Sequence, residues 1–173
     1  KQRKQALDIG MKFSGIQLED ISYVEKKWGL KMKGKFSGEL RLSGTQNNSS
    51  QYRGRALFRV DEGGITESSL FGLFKFPSMT LDDAHGSIVI SSGKGILEEF
   101  RVAGKGSELM LTGDIILQNA IGQSTLNIKG RFKLSEPLTG VFNTVLPYMN
   151  LVKDAQGYYL FSVTGTLSAP CLL

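Results

Sequence analysis

Leu126-Asn127-Ile128-Lys129-Gly130-Arg131-Phe132-Lys133-Leu134 alternates apolar and polar positions without a break. A period of two puts the apolar side chains on one face of an extended strand and the charges on the other. Strands that are wet on one side belong to antiparallel sheets. The same alternation runs through Leu7, Ile9, Met11 and Phe13, then through Trp28, Leu30, Met32, Phe36, Leu40 and Leu42. It returns in Tyr52, Ala56, Phe58 and Val60, in Leu109, Leu111, Ile115 and Leu117, and in Tyr159, Phe161, Val163 and Leu167. The chain therefore reads as all-β, a meander of long antiparallel strands.

Turn chemistry separates the runs. Thr45-Gln46-Asn47-Asn48-Ser49-Ser50 reads as a polar loop. Glu62-Gly63-Gly64, Ser92-Gly93-Lys94-Gly95 and Gly104-Lys105-Gly106-Ser107 read as hairpin turns. One segment departs from period two. Leu138, Val141, Phe142, Val145, Leu146 and Met149 follow helical spacing, with Ser135 as N-cap and Pro137 in the first turn, and Pro147 should end or kink that helix. The apolar stretch Ser68 to Phe76 fits either a short helix or a buried loop.

With 173 residues the chain suits a single domain with a core of its own. It carries 21 glycines against 4 prolines and lacks a G-X-Y period, which fits bends and turns rather than collagen. The net charge of +5 suits an anionic partner, and equally serves ordinary solubility. The lone Cys171 excludes an internal disulfide framework. No apolar run nears the roughly 20 residues that span a bilayer. The opening Lys1-Gln2-Arg3-Lys4-Gln5 lacks an initiator Met and a signal peptide. The expectation is a fragment, with an anchor or signal upstream.

A short repeat links several strands. Leu109 to Ile115, Leu126 to Phe132 and Phe161 to Leu167 share apolar-x-apolar-x-Gly-x-apolar, and Phe36-Ser37-Gly38-Glu39-Leu40 is a shorter form. Each glycine falls on the apolar face. There it either lets the sheet curl into a groove or half-barrel, by admitting a close neighbour, or marks a local bulge.

This pattern resembles the bacterial AsmA-like superfamily. Asp83-Ala84-His85-Gly86-Ser87-Ile88-Val89-Ile90-Ser91-Ser92-Gly93-Lys94-Gly95 fits its strand–turn element, which leads into Glu99 to Gly104 and Leu109 to Leu117. The ending Phe161-Ser162-Val163-Thr164-Gly165-Thr166-Leu167-Ser168-Ala169-Pro170 matches the superfamily's G-x-L-x-x-P close. The helix between the last two strands makes the chain most similar to the N component of the bacterial type II (general) secretion pathway. The resemblance covers residues 80 to 170 by motif and the first half by pattern. It implies a curved antiparallel sheet with one or two short helices, in a single periplasmic β-domain over residues 1–173, held to the inner membrane by an N-terminal anchor. It also implies an accessory, non-enzymatic scaffold role among secretion-system proteins of the cell envelope. The wider superfamily adds an alternative, a lipid-binding or lipid-transfer module.

No catalytic, cofactor or metal site is expected. His85 is the only histidine, and Asp82 and Asp83 do not complete a zinc set. Cys171 is far from it in sequence. The Gly-Lys-Gly stretches at 93–95 and 104–106 lack phosphate-loop spacing. Asp82-Asp83 and Glu98-Glu99 are neighbours whose side chains should point to opposite faces, so neither pair converges. Two surfaces remain. Phe13, Trp28, Phe36, Phe58, Phe132 and Phe161 should line the apolar face, either closed by the helix 138–149 as a core or open to an acyl chain or a partner's strand. Lys33, Lys35, Arg41, Arg53, Arg55, Arg59, Lys129, Arg131 and Lys133 should form a basic face for phospholipid or an acidic partner, unless carboxylates are scattered among them. Nucleic acid is not expected, because the aromatics alternate away from the basic side chains. Open sheet edges predict self-association.

Overall fold

The computed structural model describes residues 5–21, 25–26, 29–70, 74–143, 146 and 151–173. Its long strands are β1 (Ala6–Gln17), β2 (Met32–Thr45), β3 (Asn48–Ile65), β7 (Asp83–Ser91), β8 (Lys94–Gly104), β9 (Ser107–Ile116), β10 (Thr125–Lys133) and β12 (Tyr159–Gly165). Short strands sit between and beside them: β4 (Ser68–Leu70), β5 (Phe74–Phe76), β6 (Met79–Thr80), β11 (Val152–Lys153) and β13 (Pro170–Leu172). The main sheet has 11 antiparallel strands in the order β1-β2-β3-β7-β8-β9-β10-β12-β11, with β13 also on β12 and β6 on β3. The sheet is a meander and does not close. One end is covered by the short β11 and β13. At the other end β1 has β2 on one side and no strand on the other among the described residues.

Tight turns hold the meander. Asn47, Ser92 and Lys105 take positive φ of 59°, 51° and 48°, and Gly93 and Gly106 follow at 76° and 79°. Positive φ in a two-residue connection matches the twist of the flanking strands. The loop expected at 45–50 is therefore one such turn, with β3 already under way at Asn48.

Two other expectations are corrected. Glu62-Gly63-Gly64 is not a hairpin turn. It lies inside β3 as a bulge, where the register with β2 shifts between Lys33 and Lys35 and Glu62 takes φ 54°. Ser68 to Phe76 is neither helix nor loop in its described parts, since β4 and β5 pair as a separate antiparallel hairpin. Helix α1 (Glu136–Phe142) follows Ser135 with Pro137 in its first turn, as the spacing predicts. The Ser135 side chain does not cap it. Instead the Ser135 backbone N–H donates to Ser107 Oγ at 2.9 Å. The rest of the helix expected to 149 lies outside the described residues, apart from Asn143 and Leu146.

The sheet is one layer thick over most of its area. Among the described residues the buried hydrophobics are Ala84, Leu97 and Ile128 on the strands, and Leu138 and Leu146 in the segment laid across one end. Elsewhere the apolar face of the described strands is half-buried. The accessible surface is 11062 Å² for 19.0 kDa. A compact monomer of that mass exposes about 8,400 Å² by mass scaling. The excess is what an unclosed single sheet should show.

Candidate binding surfaces

On the apolar face, cross-strand register alternates phenylalanine with glycine. Phe13 pairs Gly38, Gly38 pairs Phe58, Phe58 pairs Gly86, and Gly86 pairs Phe100. The rings of Phe13, Phe58 and, further along, Phe161 each lie over a glycine of the adjacent strand. A Cβ on Gly38 would meet Phe13 at 2.6 Å, one on Gly86 would meet Phe58 at 2.3 Å, and one on Gly130 would meet Phe161 at 2.0 Å. The close neighbour admitted by these glycines is thus an aromatic ring from the next strand. The repeat's other glycines admit backbone instead of a ring, in unbroken register with the neighbouring strand. Gly113 takes φ 138° against the backbone of Asn127, and Gly165 takes φ 85° where the chain turns into β13.

These pairings bring Phe13, Phe36 and Phe58 together. Phe13 and Phe36 have ring centroids 5.0 Å apart, Phe36 and Phe58 6.4 Å, and Phe100 continues the row at 5.9 Å from Phe58. Phe132 and Phe161 form a second cluster, 5.9 Å apart, with Tyr159 stacked on Phe132 at 5.2 Å. Trp28 lies outside the described residues. Beside the second cluster, α1, Leu146 and the sheet border an open apolar cavity of about 300 Å³. Val102, Leu109, Phe132 and Leu134 form its floor and Leu138, Phe142 and Leu146 its roof, with Glu108 and Lys133 among the other lining residues.

The polar face carries the charges, but not as one basic surface. Lys33, Lys35 and Arg41 on β2 do neighbour Arg53, Arg55 and Arg59 on β3, with Arg41 directly opposite Arg55. Lys129, Arg131 and Lys133 lie on β10, separated from β3 by β7, β8 and β9. Carboxylates neutralise much of the first group. Lys35 pairs Glu62 at 2.8 Å, Arg55 pairs Glu98 at 3.7 Å, Arg41 pairs Glu39, and Arg59 pairs Asp61.

Between the two basic groups runs a ladder of opposite charges. His85 Nδ1 lies 2.7 Å from Asp83, and its Nε2 3.1 Å from Glu99. Arg101 binds Asp83 at 3.0 Å and Glu108 at 2.6 Å. Tyr158 donates its hydroxyl to Glu108 at 2.6 Å, and Arg131 lies 4.8 Å over the Tyr158 ring. Only a protonated imidazole donates at both nitrogens. The Asp83 hydrogen bond, with that of Glu99 behind it, holds the His85 pKa above its ordinary value. The Tyr158 hydroxyl, then Arg101, holds Glu108 below the usual carboxylate range.

The expectation that Glu98 and Glu99 face opposite ways is corrected by this ladder. Glu98 is the extra residue of a bulge between β7 and β8, so its carboxylate reaches Arg55 on the same face as Glu99. Asp82 and Asp83 do separate, with Asp82 accepting the Lys105 N–H at 3.2 Å in the β8–β9 turn. Arg101, Glu108 and Tyr158 were not singled out from sequence. The only signal of Arg101 and Glu108 was position on the polar parity of a strand, Tyr158 lies just ahead of β12, and register decides which of them meet.

A shallow groove of about 450 Å³ crosses this face near the ladder. Lys12, Glu39, Arg55, Arg59, His85 and Glu99 are among the polar groups lining it, and Leu57, 41% exposed, forms its apolar floor. Among the described residues no cluster of His, Cys, Asp and Glu could hold a metal ion, and no helix is long and apolar enough to cross a membrane. Cys171 is exposed on β13.

The geometry defines a class: an open, one-layer antiparallel β-sheet domain with one half-exposed apolar face. No family model matches the chain, and neither a curated protein nor a solved structure matches it.

Proposed function

We propose that the chain is a non-enzymatic binding module of the bacterial cell envelope, an accessory component of type II secretion, whose working surface is the apolar face of the open sheet. The secretion context rests on the motif resemblance. The choice of surface rests on one observation, the half-exposed Phe/Gly face that runs into the cavity under α1. Leaving such a face in water is costly, at roughly 25 cal/mol for each Å². A ligand with acyl chains relieves that cost, and a cavity of about 300 Å³ is at the small end of the range for ligand sites. The sequence ranked a protein scaffold first and a lipid module second; the geometry supports the lipid-binding reading better. The test is lipid retention by the purified domain, with Phe132→Asp as the variant that should lose it.

The scaffold reading is favoured by a separate observation, the groove on the charged face floored by the exposed Leu57. On that reading Leu57→Glu in the full-length protein would reduce secretion of type II substrates about tenfold at an unchanged protein level, a loss equal to one central interface residue. Full secretion by the variant would remove the groove from consideration.

A further inference from the structure

We infer that β1 is a self-complementary edge through which two copies of the chain join into one continuous sheet. One side of β1 has its hydrogen bonds already made. Gln46 N–H donates to the Gln5 carbonyl at 2.9 Å, continuing a register in which Leu7 faces Gly44 and Ile9 faces Leu42. In an antiparallel ladder, residues alternate between bonding to the partner and pointing their N–H and C=O away from it. Gln5, Leu7, Ile9 and Met11 therefore bond to β2. Ala6, Asp8, Gly10 and Lys12 direct their backbone groups at the free edge.

A second copy satisfies these groups best in one register. The regular part of β1 ends at a bulge after Phe13, where Gly15 takes φ 69°. That leaves a segment centred near Gly10. An antiparallel pairing with Gly10 opposite Gly10 of the second copy sets Asp8 opposite Lys12 of that copy, and Lys12 opposite its Asp8. On the other face it sets Leu7 against Phe13 and Ile9 against Met11. Sliding the centre by one residue sets Asp8 and Lys12 opposite uncharged residues, and sliding it by two puts Asp8 against Asp8 or Lys12 against Lys12. Like charges directly opposite are unfavourable and opposite charges favourable, so charge selects the Gly10-centred register. Asp8 makes no ion pair among the described residues; Lys12 stands opposite Glu39 on β2, which pairs Arg41 instead, and Met11 is 53% exposed. A two-fold axis normal to the sheet keeps the apolar faces of both copies on the same side, which extends the Phe/Gly face across the pair.

The ordinary alternative is a solvated edge guarded by its own charges. Sedimentation velocity at low salt over a concentration series, without lipid, separates the two. The expected result is a monomer–dimer equilibrium. Asp8→Lys or Lys12→Asp alone should each weaken it about tenfold, since each replaces two opposite-charge pairs by two like-charge pairs. An equimolar mixture of the two variants should restore dimers, because each then presents the sign the other lacks. Gly10→Pro, which removes an edge N–H and leaves the bonds to β2 intact, should abolish dimers if the charge variants fold poorly. A monomer at every concentration, or a dimer indifferent to all three substitutions, would overturn the inference. Lipid retention is measured separately, so either proposal can fail without the other.

Discussion

Gly130 shows how much a single residue decides here. Its missing side chain is the space that the Phe161 ring occupies, with no room for even a methyl group. Gly130→Ala should therefore cost about 1–3 kcal/mol as an overpacked site, read from urea unfolding. Replacing Phe161 by Leu first should shrink that cost. Equal costs in both backgrounds would show that the ring does not enforce the glycine. His85 makes a pH prediction. Its folded pKa is raised by Asp83 and Glu99. The group thus adds stability below its unfolded pKa of about 6.5, and that contribution disappears as pH rises through the higher folded value. His85→Gln should flatten the stability profile across that window. An NMR titration of the wild type giving a value at or below the unfolded one would contradict the assigned contacts.

At the scale of elements, the strands were legible and their partners were not. Period-two runs marked β1, β2, β3, β9, β10 and β12 because one face of each is wet, though the β2 run was read from Trp28 and the strand starts at Met32. The turns at Ser92-Gly93 and Lys105-Gly106 were legible because positive φ demands glycine or a tolerant neighbour. Glu62-Gly63-Gly64 misled for the same reason: a bulge and a turn ask for the same residues, and only the partner strand tells them apart. The ladder from His85 to Tyr158 was not legible, since sequence carries no register between β7, β8 and β9. Helix α1 was legible from its spacing and Pro137. Its role follows from Leu138, only 4% exposed between the helix and the sheet. Leu138→Ala should destabilise the domain by about 2–5 kcal/mol and raise binding of a hydrophobic dye at the enlarged cavity. A loss below 0.5 kcal/mol, the scatter of surface sites, would mean that α1 does not cover this end of the sheet.

At the scale of the molecule, an antiparallel meander of amphipathic strands has two ways to satisfy its apolar face. It can fold over on itself, or it can stay open and be satisfied from outside. The surface of 11062 Å² and the half-buried Phe/Gly face are those of an open sheet, and its satisfaction from outside is what we propose. The aromatic rings lying on glycines are the device that keeps such a face ordered without a second layer. Alternation could announce the face but not whether it was covered, because that depends on where the chain runs after each turn. The measurement that tests this most directly is native mass spectrometry of the domain after incubation with a bacterial phospholipid extract. The expected result is a stoichiometric lipid adduct that survives gentle activation and is lost in a folded Phe132→Asp variant. A clean lipid-free mass would contradict an open apolar face that binds acyl chains.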